Sequence, residues 1–490
     1  MLLLGIDLGT SSIKVSIVDA STQKTITSVS YPEEETEIIS PEVGWAEQDP
    51  ERWWSHTKLA IQKAHSQKLY DPKAIVAIGI AYQMHGLVLV DAKDAVLRHA
   101  IIWCDSRAVA LGEAAQAALG EGYCKAHLLN SPGNFTAAKL AWVKAHEPQL
   151  YAQVKHMLLP GDFLALRFTG IATTSIPALS EGIFWDFDEH KISDALLGYF
   201  GFDKAVIPEL RPLFGSHGKI LAQVAEELGL SPDVEVAYKA GDQPNNAFSL
   251  QVLEPGEVAA TAGTSGVIYG VSDALIADPY SRVNTFAHVN YKPDQIRTGV
   301  LLCINGTGIQ NSWLKKMVGT GQDYDALNRI GSESPLGAKG LRILPFGNGV
   351  ERMLQNKPVG AHITGLDFNR HGQADLIRAG QEGIAFAFRY GFDIMRSNGL
   401  APQVIRAGYT NLFLSPLFRA AFTGVTNTAI ELYKSDGSVG AALGAGVGKG
   451  IYAEAKEAFT KMQLLQTEEP QQVQQYEELY QEWKLIVNKF

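Results

Sequence analysis

One short pattern occurs twice in this chain, about half its length apart, and it limits the possible folds more than any other feature. Two apolar runs, residues 2–7 and 13–18, flank Gly9-Thr-Ser-Ser12, and residues 257–262 and 267–270 flank Gly263-Thr-Ser-Gly266 in the same way. Each reads as strand, tight turn, strand. Solenoid units recur every ~20 to 50 residues, so the wide spacing points to duplicated domains instead. At 490 residues the chain also exceeds the roughly 250 to 300 residues that one hydrophobic core supports. The boundary is expected near residues 250–256, dividing 1–250 from 251–490.

Between the two hairpins, strand-like runs at 74–81 and 100–103 alternate with helix-like stretches at 50–65 and 137–146, the grammar of α/β layers. The second half continues it, with helical patterns at 323–330 and 374–398 and a strand-like run at 404–407. From Ala453 the chain turns polar, and the Glu- and Gln-rich stretch 466–489 reads as a solvated helix without chemistry of its own.

Composition excludes several classes. No apolar run reaches the ~18 residues of a membrane helix, and the apolar start lacks a basic flank and meets Asp7, so a cytoplasmic protein without a secretory signal is expected. Cys104, Cys124 and Cys303 are few and far apart, which fits neither a disulfide framework nor a Cys-x-x-Cys metal site. With 42 Lys and Arg against 52 Asp and Glu, the net charge of -10 would repel a phosphate backbone, and no basic cluster offsets it. Nucleic acid is not an expected partner.

Three segments could carry chemistry. Asp7 ends a strand just before a turn of small residues, where backbone N–H groups and hydroxyls can approach an anion, and a carboxylate there can meet a magnesium ion. A lone Asp-x-Gly-Thr is more often an ordinary hairpin, but its recurrence in an equivalent setting reverses that reading in favour of phosphate. Gln83-Met-His-Gly86 follows an apolar strand, and strand ends are where open α/β sheets bind ligands. There His85 could hydrogen-bond a hydroxyl and Met84 could form a deformable wall, although a structural role for the imidazole is the simpler reading of that residue alone. Asp242, in Ala240-Gly-Asp-Gln-Pro-Asn-Asn-Ala247, also follows a strand-like run and could serve as a base, or merely open a turn or cap a helix.

Gly5-Ile-Asp-Leu-Gly-Thr-Ser-Ser-Ile-Lys14, the duplicated hairpin and Gly440-Ala-Ala-Leu-Gly-Ala445 together resemble the FGGY carbohydrate kinases, of the fold superfamily that includes actin and hexokinase. The likeness spans almost the whole chain. It implies two duplicated actin/hexokinase-like (ribonuclease H-like) α/β domains with a catalytic cleft between them, the sugar held by the first and the nucleotide by the second. Within the family, Gly44-Trp-Ala-Glu-Gln-Asp-Pro-Glu-Arg-Trp-Trp54, Gln83-Met-His-Gly86, Ile102-Trp-Cys-Asp-Ser-Arg107 and Leu159-Pro-Gly-Asp-Phe-Leu164 are similar to the members that phosphorylate D-xylulose. Another ketose or polyol such as ribulose is the alternative, and an actin-like or chaperone-like ATPase a more distant one.

The resemblance implies ATP and Mg²⁺ as cofactors and a ketopentose as substrate, with a homodimer left open. It assigns Asp242 as the base and Asp7 as the catalytic, magnesium-associated carboxylate. Gln83, Met84, His85 and Trp103, together with Asp242, become sugar contacts. Thr10, Ser11, Ser12, Lys14, Gly263, Thr264, Gly306, Gly408 and Asn411 become nucleotide contacts. Three segments depart from the family pattern: Arg406-Ala-Gly-Tyr-Thr-Asn411 where many members carry Gly-Gly-Gly-Ala, Phe346-Gly-Asn-Gly-Val-Glu-Arg352, and Thr174-Ser-Ile-Pro-Ala-Leu-Ser180.

Overall fold

The first repeat folds as the pattern requires. Strands β1 (Leu2–Leu8) and β2 (Ile13–Asp19) pair antiparallel around the Gly9 turn, whose amide bonds to the Ser12 carbonyl at 3.1 Å. With β3 (Thr25–Tyr31), β4 (Ile75–Tyr82), β5 (Phe214–Lys219) and β6 (Glu235–Gly241) they form a six-stranded sheet in the order β5-β6-β4-β1-β2-β3. The three central strands β6, β4 and β1 run parallel. They are buried almost throughout, the continuous apolar character expected of strands covered on both faces.

In this computed structural model, which describes residues 1–490, the second repeat builds a related sheet. Strands β7 (Glu257–Ala262), β8 (Gly266–Ser272), β9 (Asn284–Ala287), β10 (Thr298–Ile304), β11 (Val404–Gly408), β12 (Ile430–Tyr433) and β13 (Leu464–Glu468) take the order β9-β10-β8-β7-β11-β12-β13. The hairpin β7–β8 is antiparallel, β7, β11 and β12 are parallel, and β13 closes the edge antiparallel. The first sheet has the same sequence of pairings, β1–β2 followed outward by β4, β6 and β5. The duplication read from two short turns therefore extends to whole sheets.

A single boundary near residue 250 misses two returns of the chain. The first compact unit comprises Met1–Gln251, Phe286–Thr298 and Asp436–Met462, and the second Val252–Thr285, Gly299–Ser435 and Gln463–Phe490. The second return exists because the helix Gly437–Gly448 packs on β1, β4 and β6. Only glycine permits that approach: a Cβ at Gly5 would stand 1.8 Å from the Ser438 carbonyl oxygen, and one at Gly79 1.8 Å from that of Ala441.

The polar tail is also less solvated than its composition suggests. Residues 464–468 form the edge strand β13, and only then does the helix Val473–Val487 begin. Tyr476, Tyr480, Trp483 and Val487 recur at helical spacing and are buried in the second unit's core. The polar tips of two of them are satisfied: Tyr480 donates to Asp393 Oδ2 at 2.7 Å and the Trp483 indole to the Ile343 carbonyl at 2.9 Å. No helix is long and apolar enough to cross a membrane.

Candidate active site

The parallel register of the first sheet gathers residues that are far apart in sequence. Asp7 stands opposite Ala81 and Leu8 opposite Tyr82, while Gly241 is also opposite Tyr82. Asp7, the segment 83–85 and Asp242 therefore leave the carboxyl ends of three adjacent strands, the position where α/β sheets bind ligands. Gln83 extends the register by donating its amide to the Leu8 carbonyl at 2.9 Å.

Asp242 is the first residue of the helix Asp242–Ser249, so it does open a helix as its local sequence allows. Burial and the charge of Asp7 push its carboxyl up to about 7, against hydrogen bonds from Gln243 and its own backbone amide. Asp7 is raised to about 6 by burial and by Asp436, with Lys14 opposing. Lys14 lies directly across the hairpin from Asp7 and is ion-paired with Asp436. Asp436 caps the helix Gly437–Gly448 through the Ser438 amide at 3.0 Å, and a Cβ at Gly437 would come within 2.4 Å of Asp7 Oδ2. Asp7 thus feels the charge of Asp436 and imposes its own on Asp242, and such repulsion is what a divalent cation at Asp7 would relieve.

A chain of hydrogen bonds ties the hairpin tip to the 83–85 segment. The Trp103 indole donates to Thr10 Oγ1 at 3.0 Å, the Thr10 hydroxyl to Gln83 Oε1 at 3.4 Å, and Gln83 Nε2 to Gln48 Oε1 at 3.0 Å. Gln48 returns to the Thr10 carbonyl at 2.8 Å. Gln83 is consequently buried and committed to the scaffold, whereas Trp103 is 53% exposed. Ser11 is exposed at the tip, with Thr10 and Ser12 half-buried beside it.

Met84 is buried against the strand end that carries Asp242: a Cβ at Gly241 would meet Met84 Cγ at 2.6 Å. His85 is half-buried in a left-handed backbone conformation, φ 61°. Its ring packs edge-on to Phe135 at 4.8 Å and tilted to Phe286 at 5.3 Å. Behind it lie two buried ionisable residues that sequence reasoning missed, Lys139 and Glu181. Lys139 Nζ donates to the His85 carbonyl at 2.8 Å, and burial lowers its ammonium to about 7. Nothing local in the sequence marks either residue. Asp436, also missed, could have been suspected from Asp436-Gly-Ser438 at the start of a small-residue run, a capping pattern.

The second unit carries its own cavity of ≈ 510 Å³, lined by Gly263, Thr264, Gly308, Tyr324, Asn328, Asn411 and others. The helix Gly308–Val318 starts on the hairpin tip: the Gly308 and Ile309 amides donate to the Gly263 and Thr264 carbonyls at 2.9 and 3.1 Å. Gly263, Thr264 and Asn411 are thus brought together. Gly306 and Gly408 are not among the cavity's lining residues. Gly306 is pressed on the Pro345 carbonyl, 1.6 Å from where a Cβ would stand, and its amide is taken by Glu351 Oε1 at 3.2 Å. Its neighbour Gly308, not singled out from sequence, holds the position at the hairpin. Glu351 belongs to the divergent segment 346–352, so that segment braces the second unit.

Comparison with known proteins places these features in context. Residues 2–249 match the FGGY family of carbohydrate kinases, N-terminal domain. A xylulose kinase of Escherichia coli is 30% identical over 449 residues, covering 90% of this chain and 88% of its own. The solved structure of a xyloylose kinase from Brucella ovis superposes with a TM-score of 0.88 at 27% identity, covering 100% and 99% of the two chains. A Plasmodium falciparum glycerol kinase with ADP gives the same TM-score, 0.88, at 20% identity, covering 100% and 98%. The same backbone shape is therefore found in kinases named for different alcohols.

Proposed function

The chain belongs to the FGGY family of carbohydrate kinases, and on that premise we propose that it transfers the γ-phosphoryl group of ATP to the C5 hydroxyl of D-xylulose, giving ADP and xylulose 5-phosphate. The observation that carries this reading is the convergence of Asp7, Met84-His85 and Asp242 on adjacent strand ends. Phosphoryl transfer needs little covalent help from the protein and depends on positioning and charge neutralisation.

Asp242 takes the proton of the attacking hydroxyl. Held near 7, it is basic enough to accept that proton and is substantially ionised at neutral pH. Met84 and His85 orient the sugar, and Trp103, exposed and linked through Thr10 to Gln83, offers a flat face for it. Each hairpin tip offers hydroxyls and amides suited to phosphate, through Thr10, Ser11 and Ser12 in the first unit and Gly263 and Thr264 in the second, and the second unit's cavity suits a nucleoside beside Asn411.

Asp7 fits a magnesium site by its hard oxygen donors, by the carboxylates around it, and by the space that Gly437 leaves at its Oδ2. No group of three or more His, Cys, Asp or Glu residues could hold a metal alone, which suits an ion that arrives with water and substrate phosphates. When bound, Mg²⁺ neutralises charge between the β- and γ-phosphates.

The test is a coupled ADP-release assay on D-xylulose, ribulose and glycerol. Xylulose is expected to give the highest kcat/KM. Preference for another acceptor would overturn the substrate, and turnover independent of any alcohol would overturn the reaction.

A further inference from the structure

The buried pair behind His85 has no part in the mechanism above, yet its geometry bears directly on that residue. Glu181 ends the short helix Ile176–Glu181 and is 2% exposed. Its carboxylate accepts the His85 backbone amide through Oε1 at 3.3 Å, and its backbone carbonyl lies 3.1 Å from His85 Nδ1. A carbonyl only accepts, so Nδ1 carries the proton, and in the neutral imidazole Nε2 is then the acceptor. Lys139 holds the third handle, the His85 carbonyl, at 2.8 Å. The other carboxylate oxygen, Oε2, abuts the strand end of Asp242, 2.6 Å from where a Gly241 Cβ would stand.

These contacts explain how a residue with a side chain is kept at φ 61°, a backbone region sparsely used outside glycine. They also specify what the ring presents. We propose that Glu181 is a positioning residue for the sugar, which fixes the backbone, ring orientation and tautomer of His85 so that the imidazole accepts a hydrogen bond from a sugar hydroxyl. The inference rests on the reading of His85 as a sugar contact. It deepens that reading by assigning the direction of the hydrogen bond and the group that imposes it. The acceptor side of the site is therefore built for a hydroxyl donor, and an analogue with a keto or deoxy carbon at that position loses the partner.

The test compares Glu181→Ala, Glu181→Gln and His85→Ala, alone and combined, on whichever acceptor the wild-type enzyme phosphorylates best. Glu181→Ala is expected to raise KM for the sugar about tenfold or more with a smaller change in kcat, because it frees the His85 amide and loosens the ring. Glu181→Gln retains an acceptor for the amide and should restore KM to within about threefold of wild type. Adding Glu181→Ala to His85→Ala should cost nothing further in KM, since the effect passes through the imidazole.

Nitrogen-15 histidine NMR, with the His85 signal identified by its loss in His85→Ala, should show the Nδ1–H tautomer in wild type and in Glu181→Gln. Additive effects of the two alanine substitutions, an unchanged KM in Glu181→Ala, or an Nε2–H tautomer in wild type would each overturn the proposal. If Glu181→Ala does not fold, the wild-type tautomer and the Glu181→Gln kinetics still decide it. Failure of His85→Ala to affect any acceptor would instead refute the sugar-contact reading beneath it.

Discussion

Replacing Asp242 by Asn should abolish turnover and at the same time stabilise the protein, in a pH-dependent way that follows from the site's electrostatics. The amide keeps the size of the carboxyl but cannot take the proton, so kcat should fall by at least about a hundredfold, the lower range for losing a general base. Raising the carboxyl from its ordinary 3.8 to about 7 makes its ionised form cost about 4 kcal/mol in the folded state. Asp242 as a whole residue is half-buried, and discounting the figure by about half for solvent screening leaves ~2 kcal/mol as the expected net effect.

The sign follows from proton binding: the native state holds this proton more tightly than the unfolded state, so wild type loses stability as pH rises from the ordinary carboxylate range through about 7. Asn has no proton to lose. The variant's advantage should therefore be small near about pH 4 and complete by about pH 8. Differential scanning calorimetry at about pH 5 and about pH 8 should show the Tm gap widening by a few degrees. A gap that is equal at both pH values, or a variant with near-normal turnover, would refute the reasoning.

Asp7→Ala should raise the Mg²⁺ concentration needed for half-maximal rate by about tenfold or more while leaving sugar affinity close to wild type, checked by metal titration of the rate beside a sugar-binding titration. His85→Ala should lower kcat/KM for D-xylulose more than Met84→Leu does, because an unpaired polar partner costs more than a reshaped apolar wall worth roughly 1 to 3 kcal/mol; steady-state kinetics on xylulose and ribulose test it. Gly308→Ala places a Cβ 2.2 Å from the Gly263 carbonyl and should displace the second hairpin, raising KM for ATP more than KM for the sugar and destabilising by about 1–3 kcal/mol, as read by kinetics and urea unfolding.

The residues legible in sequence are those whose roles are local. A strand-turn-strand hairpin is written in consecutive residues, so both hairpins, the duplicated α/β architecture and the positions of Asp7, Met84, His85 and Asp242 at strand ends could be read directly. What tertiary structure decided depends on segments meeting across the chain. Asp436 reaches Asp7 because the helix Gly437–Gly448 docks on the first sheet, as in the Ser16–Ser438 hydroxyl contact at 2.8 Å between residues 422 apart. Lys139 and Glu181 stand behind His85 without any spacing that announces them. Gly306 and Gly308 look interchangeable in Ile304-Asn-Gly-Thr-Gly308, yet one packs on Pro345 and the other on the hairpin tip. Residue type limits which contacts are chemically possible, and periodicity says which face is buried. Only the folded path of the chain determines which buried groups become neighbours, and through desolvation and charge those neighbours set the behaviour of Asp7 and Asp242.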